Sequence, residues 1–237
     1  MGQLSRRALI TGSVGGAALG GLLLGGGPAE AVTYPTLRLG STGTAVTTLQ
    51  QRLSALGYWL GGIDGRFGSL TQQAVYAIQK AAGITRDGVV GAVTWSKVNA
   101  GVRPAPLSTT VAANRVEIHL ARQLLKVVRN NAVQVVLNTS TGNNQWYQAP
   151  GGGSALADTP TGWFSVYYGY GAGWEWGPLG NLYRPRYFNR SDAIAVHGST
   201  SIPPYPASHG CARVSVKAMD MVWARNLMPI GSRVVVY

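Results

Sequence analysis

Apolar residues recur with a helical period between residues 37 and 99 and with a strand period from residue 113 onward. In "AVTTLQQRLSALG", Val46, Leu49, Leu53 and Leu56 fall at steps of +3, +7 and +10, one face of a helix that Gly57 ends. A second stretch carries Leu70, Ala74, Ile78 and Ala81 on one face, and a third, shorter one holds Trp95 and Val98. Each follows an Asp-Gly loop. "DGRFGSLT" (64–71) and "DGVVGAVT" (87–94) align at an offset of 23, with Asp64/Asp87, Gly65/Gly88, Gly68/Gly91 and Thr71/Thr94 coinciding. Asp-Gly signals a turn, because glycine tolerates positive φ and aspartate bonds its own backbone. The pattern predicts a small three-helix bundle over 37–99. "AGVRPAPLSTTVA" (100–112) has no periodicity and reads as a linker.

Beyond it, Val116, Ile118 and Leu120 alternate, Leu125 and Val127 follow, and a turn at Arg129–Asn131 leads into "AVQVVLN". On this alternation His119 points outward and receives no function. "TGNNQWYQAPGGGSALADTPTG" (141–162) predicts a long loop or lid. "GWFSVYY" (162–168) predicts a strand, and residues 169–189 an irregular aromatic stretch that either lines a cleft or closes the core. "DAIAVHG" (192–198) is a strand ending at His197. "SVKAMDMVWARNLM" (215–228) fits a helix with Ser215 as N-cap and Val216, Met219 and Trp223 on one side, and "GSRVVVY" (231–237) a closing strand. The expected fold class is a multidomain α and β chain: a three-helix bundle, then a β-rich domain (113–237) with one C-terminal helix.

Composition narrows the setting. The chain is 46% hydrophobic and 12% charged, with a formal net charge of +12, which suits a folded protein in anionic surroundings. The cations are scattered, with no dense basic run or aromatic interleaving, so nucleic acid is not expected as a partner. Residues 1–31 predict an export signal. Arg6 and Arg7 open it, a glycine-broken apolar stretch follows, and Ala29 and Ala31 have cleavage-site spacing. The arginine pair fits a twin-arginine route, and an ordinary secretory signal is the alternative. No later run approaches ~20 apolar residues, so no stable membrane insertion is expected after cleavage.

In an exported chain a lone cysteine forms no internal disulfide; it pairs between molecules, lies inert in the core, or reacts. Cys211 is the only cysteine, and two of the three histidines, His197 and His209, stand near it. His197 ends a strand, "STSIPPYPA" (199–207) folds back, and "SHGC" delivers Cys211 just ahead of a helix. A proline-stiffened return of this kind brings a thiol beside an imidazole, which is what nucleophilic cysteine chemistry requires. Gly210 leaves the backbone open for oxyanion donors. Three other readings compete: an inert buried thiol, which Ser-His-Gly neighbours disfavour; a zinc site at His197, His209 and Cys211, which lacks any supporting metal motif; and a wall-lytic cysteine peptidase, whose NlpC/P60-like members have cysteine before histidine.

Two resemblances follow from these residues. "LRLGSTGTAVTTLQQRLSALGY", "GGIDGRFGSLTQQAVYAIQKAAGI" and "DGVVGAVTW" resemble a peptidoglycan-binding domain of the PG-binding-1 type, implying localisation to the cell wall. "VHG" (196–198), "SHGCARV" (208–214), "STG" (140–142) and "TPTG" (159–162) resemble the L,D-transpeptidase catalytic domain of the YkuD family. That resemblance implies Cys211 as nucleophile, His197 as base and Gly198 as the carbonyl that orients it. It further implies oxyanion donors near Gly210 and Cys211, with His209 and Arg213 lining the pocket. The implied substrates are peptidoglycan stem tetrapeptides as donor and a stem amine as acceptor, joined in a 3→3 cross-link without a metal or cofactor. An L,D-carboxypeptidase on the same substrate, or a non-catalytic peptidoglycan-binding protein, is the alternative. Two departures mark this chain: only ten residues (198–207) separate His197 from Ser208, and Arg213 stands where many members have asparagine.

Overall fold

The structure, a computed structural model, describes residues 34–237; the expected export signal lies outside the described residues. Helices α1 (Thr44–Ala55), α2 (Ser69–Ala82) and α3 (Ala92–Asn99) occupy the three predicted stretches. Val46, Leu49, Leu53, Ala74, Ile78, Trp95 and Val98 are buried together. The loop repeat has a repeated cause. Gln50 Oε1 accepts from the Asp64 and Gly65 N–H groups, and its Nε2 lies 2.9 Å from Asp64 Oδ1 and 3.0 Å from Thr71 Oγ1. Gln79 serves the second loop in a similar way: its Oε1 accepts from the Gly88 N–H, and its Nε2 lies 2.7 Å from Asp87 Oδ1 and 3.2 Å from Thr94 Oγ1. A buried glutamine thus supplies each loop with the partners its backbone would otherwise lack.

The rest of the chain forms strands β1 (Arg115–His119), β2 (Leu124–Arg129), β3 (Ala132–Asn138), β4 (Trp146–Gln148), β5 (Ser154–Leu156) and β6 (Gly162–Ser165). There follow β7 (Tyr168–Gly169), β8 (Trp174–Glu175), β9 (Leu182–Asn189), β10 (Ile194–Ser199), β11 (Ala212–Ser215), α4 (Val216–Ala224) and β12 (Arg233–Val236). One sheet has the order β3-β2-β1-β12-β6 and a second β11-β10-β9-β7, with β8 also on β9. The β2–β3 hairpin turns through Asn130 (φ 50°) and Asn131 (φ 57°), the left-handed pair that a two-residue hairpin demands. Ser215 caps α4, its Oγ accepting from the Ala218 N–H at 3.1 Å.

The molecule has three layers. Val116, Ile118, Leu125, Val127, Val234 and Val236 of the first sheet pack against the second sheet and α4. The opposite face of the first sheet carries Leu124, Val128, Val133 and Val136, which join the helical cluster. Val136 also exchanges backbone hydrogen bonds with Gly57 and Trp59, so the chain after α1 covers the β3 edge. Residues 100–112 have no helix or strand and lie over the same face. There the Leu107 N–H donates to Glu117 Oε1 at 2.9 Å, and Lys126 Nζ to the Ala105 carbonyl at 2.7 Å. Glu117 is fully buried between Arg115 (2.7 Å) and Lys126 (2.5 Å).

Four expectations are corrected. His119 does not point into solvent: it is half-buried against Tyr237, ring centroids 4.8 Å apart, because the sheet face it occupies is covered. The predicted lid contains a hairpin, β4–β5. The aromatic stretch ends in an eight-residue strand, β9, with β8 beside it. Cys211 leads into a strand, β11, and only then into the helix.

Candidate active site

Strands β10 and β11 run parallel, with Val196 opposite Ala212 and His197 opposite Arg213. Side chains alternate across a sheet, so Val196, Ala212 and Val214 enter the core while His197, Cys211 and Arg213 share the other face. Cys211 stands one step before β11, diagonal to His197, and its Sγ accepts from the Ala195 N–H at 3.4 Å. The β9–β10 pairing shifts register at Ile194/Ala195 and again at Val196/Gly198. Irregularities of this kind re-aim side chains, and here they flank His197. His197 and Cys211 form part of the lining of a cavity of about 340 Å³, together with His209, Arg213, Tyr187 and Asp192. Tyr147 of the β4–β5 hairpin and the loop Gly177–Leu182 close its sides.

His197 is buried, and its Nδ1 lies 2.9 Å from the Gly198 carbonyl oxygen. A carbonyl only accepts, so Nδ1 carries the proton and Nε2 keeps its lone pair. Burial pulls the imidazole pKa down to about 4, with the Gly198 bond opposing and Arg213 adding to the shift. Cys211 as a residue is half-buried, but its sulfur sits deep enough that burial pushes the thiol up, against the Ala195 N–H and Arg213, which favour thiolate. At neutral pH the resting pair is therefore a neutral thiol and a neutral imidazole, with a guanidinium beside both. Arg213 NH1 donates to the Ala207 carbonyl at 3.1 Å. His209 is exposed and packs on Tyr147, ring centroids 4.6 Å apart, at the rim of the cavity rather than on its floor.

Gly210 has φ +143°, and a Cβ there would sit 2.8 Å from the Asp158 carbonyl oxygen. Its N–H is taken by Ser208 Oγ (3.0 Å), whose hydroxyl donates to the Cys211 carbonyl (2.6 Å). Thr159 Oγ1 accepts from the Gly142 N–H (2.9 Å) and donates to the Gly210 carbonyl (2.6 Å). Ser140 exchanges backbone hydrogen bonds with Arg213, at 3.2 and 3.0 Å. Thr159, Ser140 and Ser208 thus brace the backbone around Cys211, and the sequence marks none of them as a site residue. The signal available was small hydroxyl residues beside glycines in "STG", "TPTG" and "SHG".

The cysteine and the histidine thus line one cavity of a two-sheet domain whose outer face packs against a small helical module. Residues 113–236 match the L,D-transpeptidase catalytic domain and residues 42–98 the putative peptidoglycan binding domain, so the chain belongs to the L,D-transpeptidase (YkuD) family. It is similar to the crystal structure of the L,D-transpeptidase from Xylanimonas cellulosilytica. That similarity has 47% identity and a TM-score of 0.80, over 88% of this chain and 100% of that one. A shorter stretch is 47% identical over 64 residues to the N-acetylmuramoyl-L-alanine amidase CwlL of Bacillus licheniformis, 26% of this chain and 18% of that protein. Another is 43% identical over 67 residues to the zinc D-Ala-D-Ala carboxypeptidase of Streptomyces albus G, 27% of this chain and 26% of that protein. The chain spans between 18% and 56% of the length of the first curated relatives it matches. Among the described residues no helix is long and apolar enough to cross a membrane.

Proposed function

We propose that the protein is a cell-wall L,D-transpeptidase that forms 3→3 peptidoglycan cross-links through an acyl-enzyme on Cys211. The observation that carries this is the imidazole of His197, held by the Gly198 carbonyl with Nε2 free, on the same sheet face and in the same cavity as the thiol. Cys211 Sγ attacks the carbonyl between the third and fourth residues of a stem tetrapeptide, and the thiol proton passes to His197 Nε2. Arg213 favours the developing thiolate. The oxyanion is assigned to the Cys211 N–H, since Ser208 Oγ occupies the N–H of Gly210. As the carbon–nitrogen bond breaks, His197 returns the proton to the amine of the departing D-alanine. An amine from a second stem then takes the acyl group and releases the thiol. Arg213 offers a cationic partner for a stem carboxylate, and His209 lines the same cavity at its rim.

Intact-mass analysis after incubation with a tetrapeptide stem should show an acyl adduct on Cys211 and free D-alanine, both lost in Cys211→Ala. An unmodified wild-type chain would sink the assignment. Adding a stem amine should convert the adduct to a cross-linked product; release by water alone would make the enzyme a carboxypeptidase. For export, N-terminal sequencing of the mature protein should begin at residue 32, following Ala31.

A further inference from the structure

We infer that helix α2 is part of the catalytic apparatus: Gln73, Lys80 and Arg86 are positioning residues that hold the 199–207 return, and through it the placement of Cys211 against His197. The inference rests on reading Cys211 as the nucleophile. The return leads from β10, which carries His197, to the turn ahead of β11, so its path governs where Ser208–Cys211 is delivered. Pro203, Pro204 and Pro206 have no N–H to give, so the middle of the segment is tied down mainly through its carbonyls. Gln73 Nε2 and Asn138 Nδ2 both donate to the Ile202 carbonyl, at 3.3 and 3.2 Å, and Asn138 also donates to Gln73 Oε1 at 2.6 Å. Arg86, just past the helix, places NH1 3.4 Å from the Pro204 carbonyl and NH2 3.1 Å from that of Ala121. Ser140 Oγ donates to the Tyr205 carbonyl at 2.8 Å, and the Thr141 carbonyl accepts from the N–H groups of Ala207 (3.0 Å) and Ser208 (2.9 Å).

The 138–141 segment is itself anchored on α2. Lys80 is fully buried, and its Nζ donates to the carbonyls of Gln123 (2.9 Å) and Thr139 (3.0 Å) and to Asn138 Oδ1. Burial lowers its pKa to about 6, while three acceptors for three N–H bonds oppose the loss of the proton. From Thr139 the chain of contacts reaches the site directly: Thr139 Oγ1 donates to the Arg213 carbonyl at 2.8 Å. The helical module thus holds the return at Ile202 and Pro204 and, through Lys80 and Thr139, reaches the backbone of Arg213, two residues after Cys211. A helix serving only to tether the protein to the wall would not need bonds to the far side of the catalytic loop.

The test compares the wild-type chain with Gln73→Ala/Arg86→Ala, and with Gln72→Ala as a control on the same helix. Three quantities are followed: acylation by a soluble tetrapeptide, the pH profile of Cys211 alkylation by iodoacetamide, and hydrogen exchange over 199–211. A soluble substrate removes any contribution from wall targeting. The double variant should lower kcat roughly tenfold with KM changed less than about twofold, because misplacement costs rate more than binding. Its alkylation midpoint should move down toward the ordinary thiol range as the sulfur loses its cover, and exchange over 199–211 should quicken. Gln72→Ala should match wild type throughout. A double variant with wild-type alkylation profile and wild-type exchange would overturn the inference. If the wild-type chain releases no D-alanine from any stem, the functional proposal fails instead, and the alkylation and exchange results still decide the clamp.

Discussion

His197 is 5% exposed, and that burial pulls its pKa from 6.5 to about 4. His197 therefore stays neutral throughout the range in which an unperturbed imidazole would take up a proton. Acylation should lose no rate to His197 protonation as pH falls from 7 to about 5, and should decline only as pH passes through about 4. A decline centred near 6.5, in a pH–rate series on the tetrapeptide, would contradict the buried geometry. Stability has the same origin. The unfolded chain protonates His197 first, so its contribution is full above 6.5 and drains away as pH falls toward about 4. Arg213 acts on both partners, lowering the pKa of His197 and of Cys211. Arg213→Asn should therefore raise both, seen as an upward shift in the alkylation midpoint of Cys211 and in the NMR titration of His197. At this scale "SHGC" and "VHG" point to two residues that the structure brings into one cavity. What they could not show is that both groups rest neutral, because burial is set by strands that come from elsewhere in the chain.

The elements differ in how openly the sequence declares them. The three N-terminal helices and the Ser215 cap stand on periodicity and one hydroxyl, both local signals. Strand β9 hides because its eight residues include Pro185 and two arginines, and its pairing on both sides is what makes it a strand. Strand β11 hides because four residues between a glycine turn and a helix carry little pattern. Arg115, Glu117 and Lys126 look like a solvated face, yet they are buried, because Glu117 pairs with both cations and carbonyls of residues 100–112 take further N–H groups of the two. The polar brace around Cys211 is likewise tertiary. Thr159→Val keeps the shape but removes the hydroxyl that joins the Gly142 N–H to the Gly210 carbonyl. Two buried backbone groups then lose a partner, at about 1–3 kcal/mol each. Urea unfolding should show a loss of that order, together with slower acylation, since the Gly210 carbonyl lies one residue before the thiol.

At the scale of the molecule, residues 34–237 cluster as one compact unit, although they match two domain families. The reason is the first sheet, which contributes to two hydrophobic cores at once. Its inner face closes on the second sheet, and its outer face supplies Leu124, Val128, Val133 and Val136 to the helices. A helical bundle of this size buries little on its own, and here its lower wall is a β-sheet. The unit should therefore unfold in one transition, with tryptophan fluorescence and far-ultraviolet circular dichroism giving the same urea midpoint. Leu124 sits fully buried on the shared wall, and Leu124→Ala should cost about 2–5 kcal/mol. If the cores are coupled, that single truncation moves the fluorescence and dichroism midpoints together. If the helical module were an independent bead on a flexible tether, the two signals would separate, and the helical signal alone would melt early. The coincidence or separation of the two curves decides whether the helical module and the two-sheet domain share one stability.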